Sequence, residues 1–229
     1  MDTNTADPFL LRRANAAELF LIRHGDAIPE ADEIIPSGVY NNLPLSKIGR
    51  EQAQALAERL KDTHFDAAYS SPLLRCQQTA APLLDSLKLP LTIVEEIKEV
   101  RLVGNFLIPT LKEGEDLTGL SKALQDRQRE ITRKAAIAGS WDVIEESEPS
   151  KDFRKRIVTG IDTIARQHIG QRVIVFAHGG TINAYAAEAL GLERDFFFPC
   201  ANTSITMFHV NGDQRVMFIM NDVAHLKLQ

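Results

Sequence analysis

Leu19-Phe20-Leu21-Ile22-Arg23-His24-Gly25 decides how this chain is read: a short apolar run of buried-strand character breaks at once into arginine, histidine and glycine. A second run, Arg172-Val173-Ile174-Val175-Phe176-Ala177, breaks the same way into His178-Gly179-Gly180-Thr181. Open α/β sheets bind ligands beyond the carboxyl ends of their strands. The two breaks therefore put two histidines where chemistry is expected.

The pattern around these runs points to a fold. Residues 26–45 carry Pro29, Pro36, Gly38 and Pro44 among polar residues and describe a long loop, a feature that is usually functional in a compact domain. Ser46 offers an N-cap to an amphipathic helix, with Ala53, Leu56, Ala57 and Leu60 at helical spacing as far as about Asp62. Phe65 to Tyr69 reads as a short strand, Ser70-Ser71-Pro72 as a turn, the stretch from Leu73 to Leu87 as a helix, and Leu91 to Val94 as the next strand. Strand and helix alternate, so the expectation is a three-layer α/β sandwich: a mostly parallel central sheet with helices on both faces.

From about 104 to 149 the pattern changes to a long charged helix, Asp116 to about Ala138, expected as a cap-like insertion over the C-terminal edge of the strands. Ser150 is expected to cap a helix carrying Phe153, Ile157, Ile161, Ile164 and His168 on one side. Ser204 to Val210 and Arg215 to Met220, joined by Asn211-Gly212-Asp213, form a closing hairpin. Residues 1–17 lack periodicity and read as a tail or loosely docked extension, leaving residues 18–229 as one domain.

Composition narrows the function classes. With 229 residues and 44% apolar content the chain can bury a full core. A formal charge of −5 argues against a general nucleic-acid surface, so basic clusters should be local and matched to a small acidic ligand. Cys76 and Cys200 are too few for a disulfide framework, and neither begins a Cys-x5-Arg phosphatase loop; both read as inert interior residues. Phe9-Leu10-Leu11 is too short for a signal segment, and no run approaches membrane-spanning length. A cytoplasmic protein with neither nucleic-acid nor membrane partners is expected, with a homo-oligomer left open.

Arg23, His24, Arg75 and His178 all lie at strand ends or helix starts of one expected sheet, and such ends converge. Two arginines and two histidines about one point make a pocket for a dianion, and phosphate matches the guanidinium fork. Gly179 and Gly180 let the next helix present N–H groups to the same anion. A neutral imidazole can attack phosphorus and hold the phosphoryl group covalently, which makes His24 the candidate nucleophile. Glu99, in Glu96-Ile97-Lys98-Glu99-Val100, is the candidate proton donor for the leaving oxygen; Glu95 and Glu96 compete with it. His64, His168, His209 and His225 read as structural. Phe196-Phe197-Phe198 reads as an apolar anchor, and Trp141 either lines the cleft or pins the insertion. No His-Glu-x-x-His supports a metal hydrolase, and no Gly-x-Ser-x-Gly elbow follows a strand to support an esterase.

These residues resemble the histidine phosphatase superfamily, also called the phosphoglycerate mutase-like family. The resemblance runs from about Leu19 to Leu226. It rests on Arg23-His24-Gly25; Leu45-Ser46 with Gly49 and Gln52-Ala53; Ser70-Ser71-Pro72-Leu73 with Arg75 and Gln78-Thr79-Ala80; Lys98-Glu99-Val100; Ala177-His178-Gly179-Gly180; and Asn202-Thr203-Ser204. It implies a phosphorylated His24, a phosphate pocket of Arg23, Arg75 and His178, Glu99 as proton donor, and no need for a metal. Two departures bear on the branch. Glu30 stands where many relatives carry a phosphate-touching asparagine, and Asp26-Ala27-Ile28-Pro29-Glu30 lacks the Glu-Ser-x-Trp-Asn of mutases. The phosphatase branch is therefore expected over mutases, with a small phosphorylated metabolite as substrate. A phosphoglycerate mutase-type phosphoryl transferase, a phosphohistidine protein phosphatase and a non-catalytic phosphate-binding protein remain alternatives.

Overall fold

The structure is a computed structural model that describes residues 7–29, 42–102 and 117–226. Its centre is the pair of apolar runs, β1 (Ala17–Arg23) and β4 (Arg172–Ala177), adjacent and parallel. Outward on one side lie β2 (Ala67–Ser70) and β3 (Leu91–Ile93), also parallel; on the other, β5 (Ile205–Asn211) and β6 (Gln214–Asp222) are antiparallel. The sheet order is β3-β2-β4-β1-β5-β6. This is the expected mostly parallel sheet, with the closing hairpin added as an antiparallel edge.

Alternation along the central strands builds two cores. Leu19 and Leu21 with Val173 and Val175 face α4 (Ser150–Gln167) and α5 (Gly179–Ala189), meeting Phe153, Ile157, Ile161 and Tyr185. Ile22 with Ile174 and Phe176 faces α1 (Lys47–Leu60) and α2 (Leu74–Leu87), meeting Leu56, Leu60, Ala80 and Leu83. Both faces of β4 are thus apolar, which explains its unbroken hydrophobic sequence. The insertion contributes α3 (Leu117–Ala138) and a 3-10 turn at Trp141–Val143; its stretch 103–116 lies outside the described residues.

Two local readings are corrected. Ser46 does cap α1, accepting from Gly49 N, but Ser150 is the first residue of α4 and does not cap it. Its hydroxyl is held by the insertion instead: Trp141 N donates to Ser150 Oγ at 2.9 Å, and Ser150 N donates to Asp142 Oδ1 at 2.8 Å. Residues 7–16, read as part of a tail, include the buried Leu10 and Ala16. His209 Nδ1 donates to Leu10 O at 2.6 Å and ties this stretch to β5. Phe9 and Leu11 on either side of Leu10 are exposed, so the short apolar run does not tell which of its members is buried. Among the described residues, no helix is long and apolar enough to cross a membrane.

Candidate active site

The strand register sets up the site. Arg23 pairs with Ala177, so His24 and His178 leave neighbouring strands side by side, and their rings lie edge to face with centroids 5.2 Å apart. His24 Nδ1 donates to Gly25 O at 2.7 Å, which leaves the lone pair on Nε2, and the residue lines a cleft of about 360 Å³. Burial, then the Arg75 and Arg23 charges, hold the His24 imidazole well below its ordinary value of 6.5. At neutral pH the ring is uncharged and fit to act as a nucleophile.

The loop carrying His24 is held from several sides. Gly25 N donates to Thr79 Oγ1 at 2.9 Å, Asp26 N to Gln52 Oε1 at 2.8 Å, and Leu45 N to Gln78 Oε1 at 2.7 Å. Asn202 Nδ2 donates to His24 O at 3.0 Å, and Thr203 N to Arg23 O at 3.0 Å. Thr203 does this with φ of 55°, a left-handed conformation strained for a β-branched residue. Gly49 has no room for a side chain, since a Cβ there would overlap Asp26 O. The residues that carried the resemblance without an obvious chemical role are therefore the scaffold of the His24 loop.

Arg23, Arg75, Glu99 and Gly179 line the same cleft. Arg23 Nη1 donates to Cys200 O. Glu99 sits against the start of α5: Gly180 N donates to its Oε2 at 3.1 Å, and Val100 N to its Oε1 at 3.0 Å. Glu95 and Glu96 line a separate hollow with Lys98, Arg101 and Arg156, so of the three competing carboxylates only Glu99 reaches the cleft.

His178 lies deeper than the two arginines. It is 0% exposed and does not line the cleft. Arg75 Nη2 donates to its Nδ1 at 3.2 Å, so Nε2 carries the proton and donates to Ser71 Oγ at 2.8 Å. At the start of α5 both ring nitrogens are engaged, one by Arg75 and one by Ser71, and the ring lies edge to face against His24. Burial, followed by the Arg75 charge, holds it well below 6.5 as well.

Other parts of the site were not visible in sequence. Arg156 on α4 donates to Glu96 O at 2.7 Å and Lys98 O at 2.9 Å, fixing the segment that carries Glu99, and is itself held by the buried Glu148. Asn183 accepts from Phe197 N and Phe198 N and shapes the loop that brings Phe196 to the cleft. Trp141 does both things considered for it: it is 5% exposed, packs on Phe196 and lines the cleft. Gln128 and Thr132 of α3 complete that side, so the insertion overhangs the cleft. Cys76 and Cys200 are buried; burial pushes the Cys76 thiol up to about 12 and raises Cys200 too, which keeps both protonated. Glu30 lies outside the described residues. Among the described residues, no group of three or more His, Cys, Asp or Glu side chains is gathered as a metal site.

Known proteins share this sequence and architecture. The chain is 27% identical to phosphoserine phosphatase 1 of Hydrogenobacter thermophilus over 214 residues, covering 91% of this chain and 94% of that protein. It is 30% identical to phosphoglycerate mutase-like protein 4 of Arabidopsis thaliana over 216 residues, covering 92% and 87%. The fold matches Bacillus stearothermophilus YhfR with a TM-score of 0.67 at 21% identity, covering 92% of this chain and 99% of that one. The sequence profile of the histidine phosphatase superfamily (branch 1) matches residues 19–223, and the chain belongs to that superfamily.

Proposed function

We propose that the protein hydrolyses small phosphomonoesters through a phosphohistidine at His24. The observation that carries this is the state of His24: a neutral ring with Nδ1 fixed on Gly25 O and Nε2 left for the cleft, between two arginines. Arg23, Arg75 and the start of α5 at Gly179 hold the phosphate, where they also neutralise charge developing in the transition state. His24 Nε2 forms a bond to phosphorus as the ester P–O bond breaks, and the leaving oxygen takes a proton from Glu99. Water then attacks the phosphohistidine, Glu99 takes its proton, the N–P bond breaks, and inorganic phosphate leaves. His178 positions Arg75 and His24 from behind. The departure from the mutase pattern at residues 26–30 favours water over a second substrate as acceptor. A cytoplasmic setting agrees with two buried, unpaired cysteines.

The test is trapping. A rapid alkaline quench with phosphorus-labelled p-nitrophenyl phosphate is expected to yield an alkali-stable, acid-labile label on His24 and none on folded His24→Asn, which turns over no substrate. Undiminished turnover by folded His24→Asn overturns the reading. Glu99→Gln is expected to slow glycerol 1-phosphate, a poor leaving group, by about 10²- to 10⁴-fold and p-nitrophenyl phosphate far less. Equal losses on both would place the proton donor elsewhere.

A further inference from the structure

The cleft does not end beside His24. A second opening of about 340 Å³ adjoins it and shares Asp26, Ile28, Gln128 and Asn202 with it. The two form one trough, with Glu99 and Thr132 in the first part and Gln52, Gln125 and Arg129 in the second. Its size is that of an ordinary small-molecule site rather than of a bare phosphate.

One wall of this trough is α3. That helix packs on the core through Ile131, Ala135 and Ala136. Its trough-lining residues Gln125, Gln128 and Thr132 are spaced three and four apart, so they share one face of the helix in a row about 10 Å long. Gln128 lines both parts and joins them.

Every step of the row offers an uncharged hydrogen-bonding group. Gln128 Nε2 donates to Thr132 Oγ1 at 3.3 Å, which leaves Gln128 Oε1 and its second amide N–H. Across the trough two more amides are half committed to the His24 loop. Gln52 Oε1 accepts from Asp26 N and Asn202 Nδ2 donates to His24 O, so Gln52 Nε2 and Asn202 Oδ1 are the atoms left for a ligand. The charged groups of the second part are engaged already: Arg129 pairs with Asp126 at 3.9 Å on its own helix, and Asp26 accepts from the Ser46 hydroxyl at 2.6 Å.

From this row we infer that the site takes phosphomonoesters of a polyhydroxylated alcohol of five or six carbons, whose hydroxyl groups run from Glu99 past Thr132 and Gln128 to Gln125; this rests on the hydrolase reading above. Amides and hydroxyls both donate and accept, as the successive hydroxyl groups of such an alcohol do. A three-carbon alcohol stays within the first part. An alkyl chain of full length displaces water from the amides and returns no hydrogen bond, which leaves those groups unpaired.

Sorbitol 6-phosphate, glycerol 1-phosphate and n-hexyl phosphate are compared by kcat/KM on the full-length protein. Sorbitol 6-phosphate is expected to lead each of the others by at least about tenfold. Gln125→Ala/Gln128→Ala removes two steps of the row, and alanine preserves the helix. This variant is expected to cut both leads by at least about fivefold, the worth of one hydrogen bond. A wild-type lead under tenfold over either substrate, or a smaller cut by the double variant, overturns the inference. Hydrolysis of p-nitrophenyl phosphate by wild type and His24→Asn separates the two claims. If that turnover depends on His24 while sorbitol 6-phosphate shows no lead, only the substrate class has failed; if it does not depend on His24, the hydrolase reading has.

Discussion

Lowering the pH tests the burial of the two histidines directly. In the unfolded chain His24 and His178 titrate near 6.5; in the fold both are held well below it, first by burial and then by Arg75. Below pH 6.5 the unfolded state binds protons that the native state refuses, so stability falls as pH falls, from about 6.5 down to the depressed folded values. Above that window their contribution is fully present. Each proton withheld contributes a slope of about 1.4 kcal/mol per pH unit, so the pair together contributes up to about 2.7 kcal/mol per unit well inside the window. At 9% and 0% exposure both rings are largely shielded from water, which leaves little to relieve this cost. Urea unfolding of the wild type and of His24→Gln/His178→Gln, measured between pH 8 and 5, reads the slope. The double variant is expected to lose most of it, while both proteins share the carboxylate-driven fall at lower pH. Equal slopes for the two proteins between pH 6.5 and 5 would refute the claim that these rings are buried and neutral. Because His24 stays uncharged, its nucleophilicity should persist on the acid side of pH 6.5, and single-turnover phosphorylation of His24 at pH 6 should match that at pH 7.5.

Two further outcomes follow from packing around Glu99. Gly180→Ala places a methyl against Glu99 and Trp141, so kcat for p-nitrophenyl phosphate should fall by about 10²-fold while stability falls by only about 1–3 kcal/mol; a fully active, folded variant would show that Glu99 tolerates displacement. Arg156→Leu leaves Glu148 buried with only Arg101 beside it and frees the Glu96 and Lys98 carbonyls, and should cost about 3 kcal/mol in denaturant melts. Burial alone would raise Glu148, and its net lowering comes from Arg156 and Arg101, so Arg156→Leu/Glu148→Leu should recover part of the loss.

Legibility in the sequence tracked how local each feature is. The runs at Leu19 and Val173 announced buried strands because both faces of a central strand are covered, and that leaves a continuous apolar signature. Ser46 was legible as a cap because an N-cap acts within one turn. Ser150 misled for the same reason: its immediate sequence looks like a cap, but Trp141 and Asp142 compete for its hydroxyl and amide. Leu10 and Ala16 have no periodic neighbours, so only the packed structure reveals that they are buried.

The sequence by itself determined which residues stand at the strand ends: two apolar runs breaking into Arg23-His24-Gly25 and His178-Gly179, with Arg75 in the first turn of the helix after Pro72, because these are short stretches with a local signature. Tertiary structure alone decided which carboxylate reaches the cleft, since Glu95, Glu96 and Glu99 are equivalent in spacing until Arg156 and the Gly180 amide fix the segment. It also set His178 against Arg75 and Ser71, and brought Trp141, Gln128 and Thr132 to the cleft. Such choices depend on contacts between residues tens to more than a hundred positions apart, and no local pattern encodes which distant partner completes a hydrogen bond.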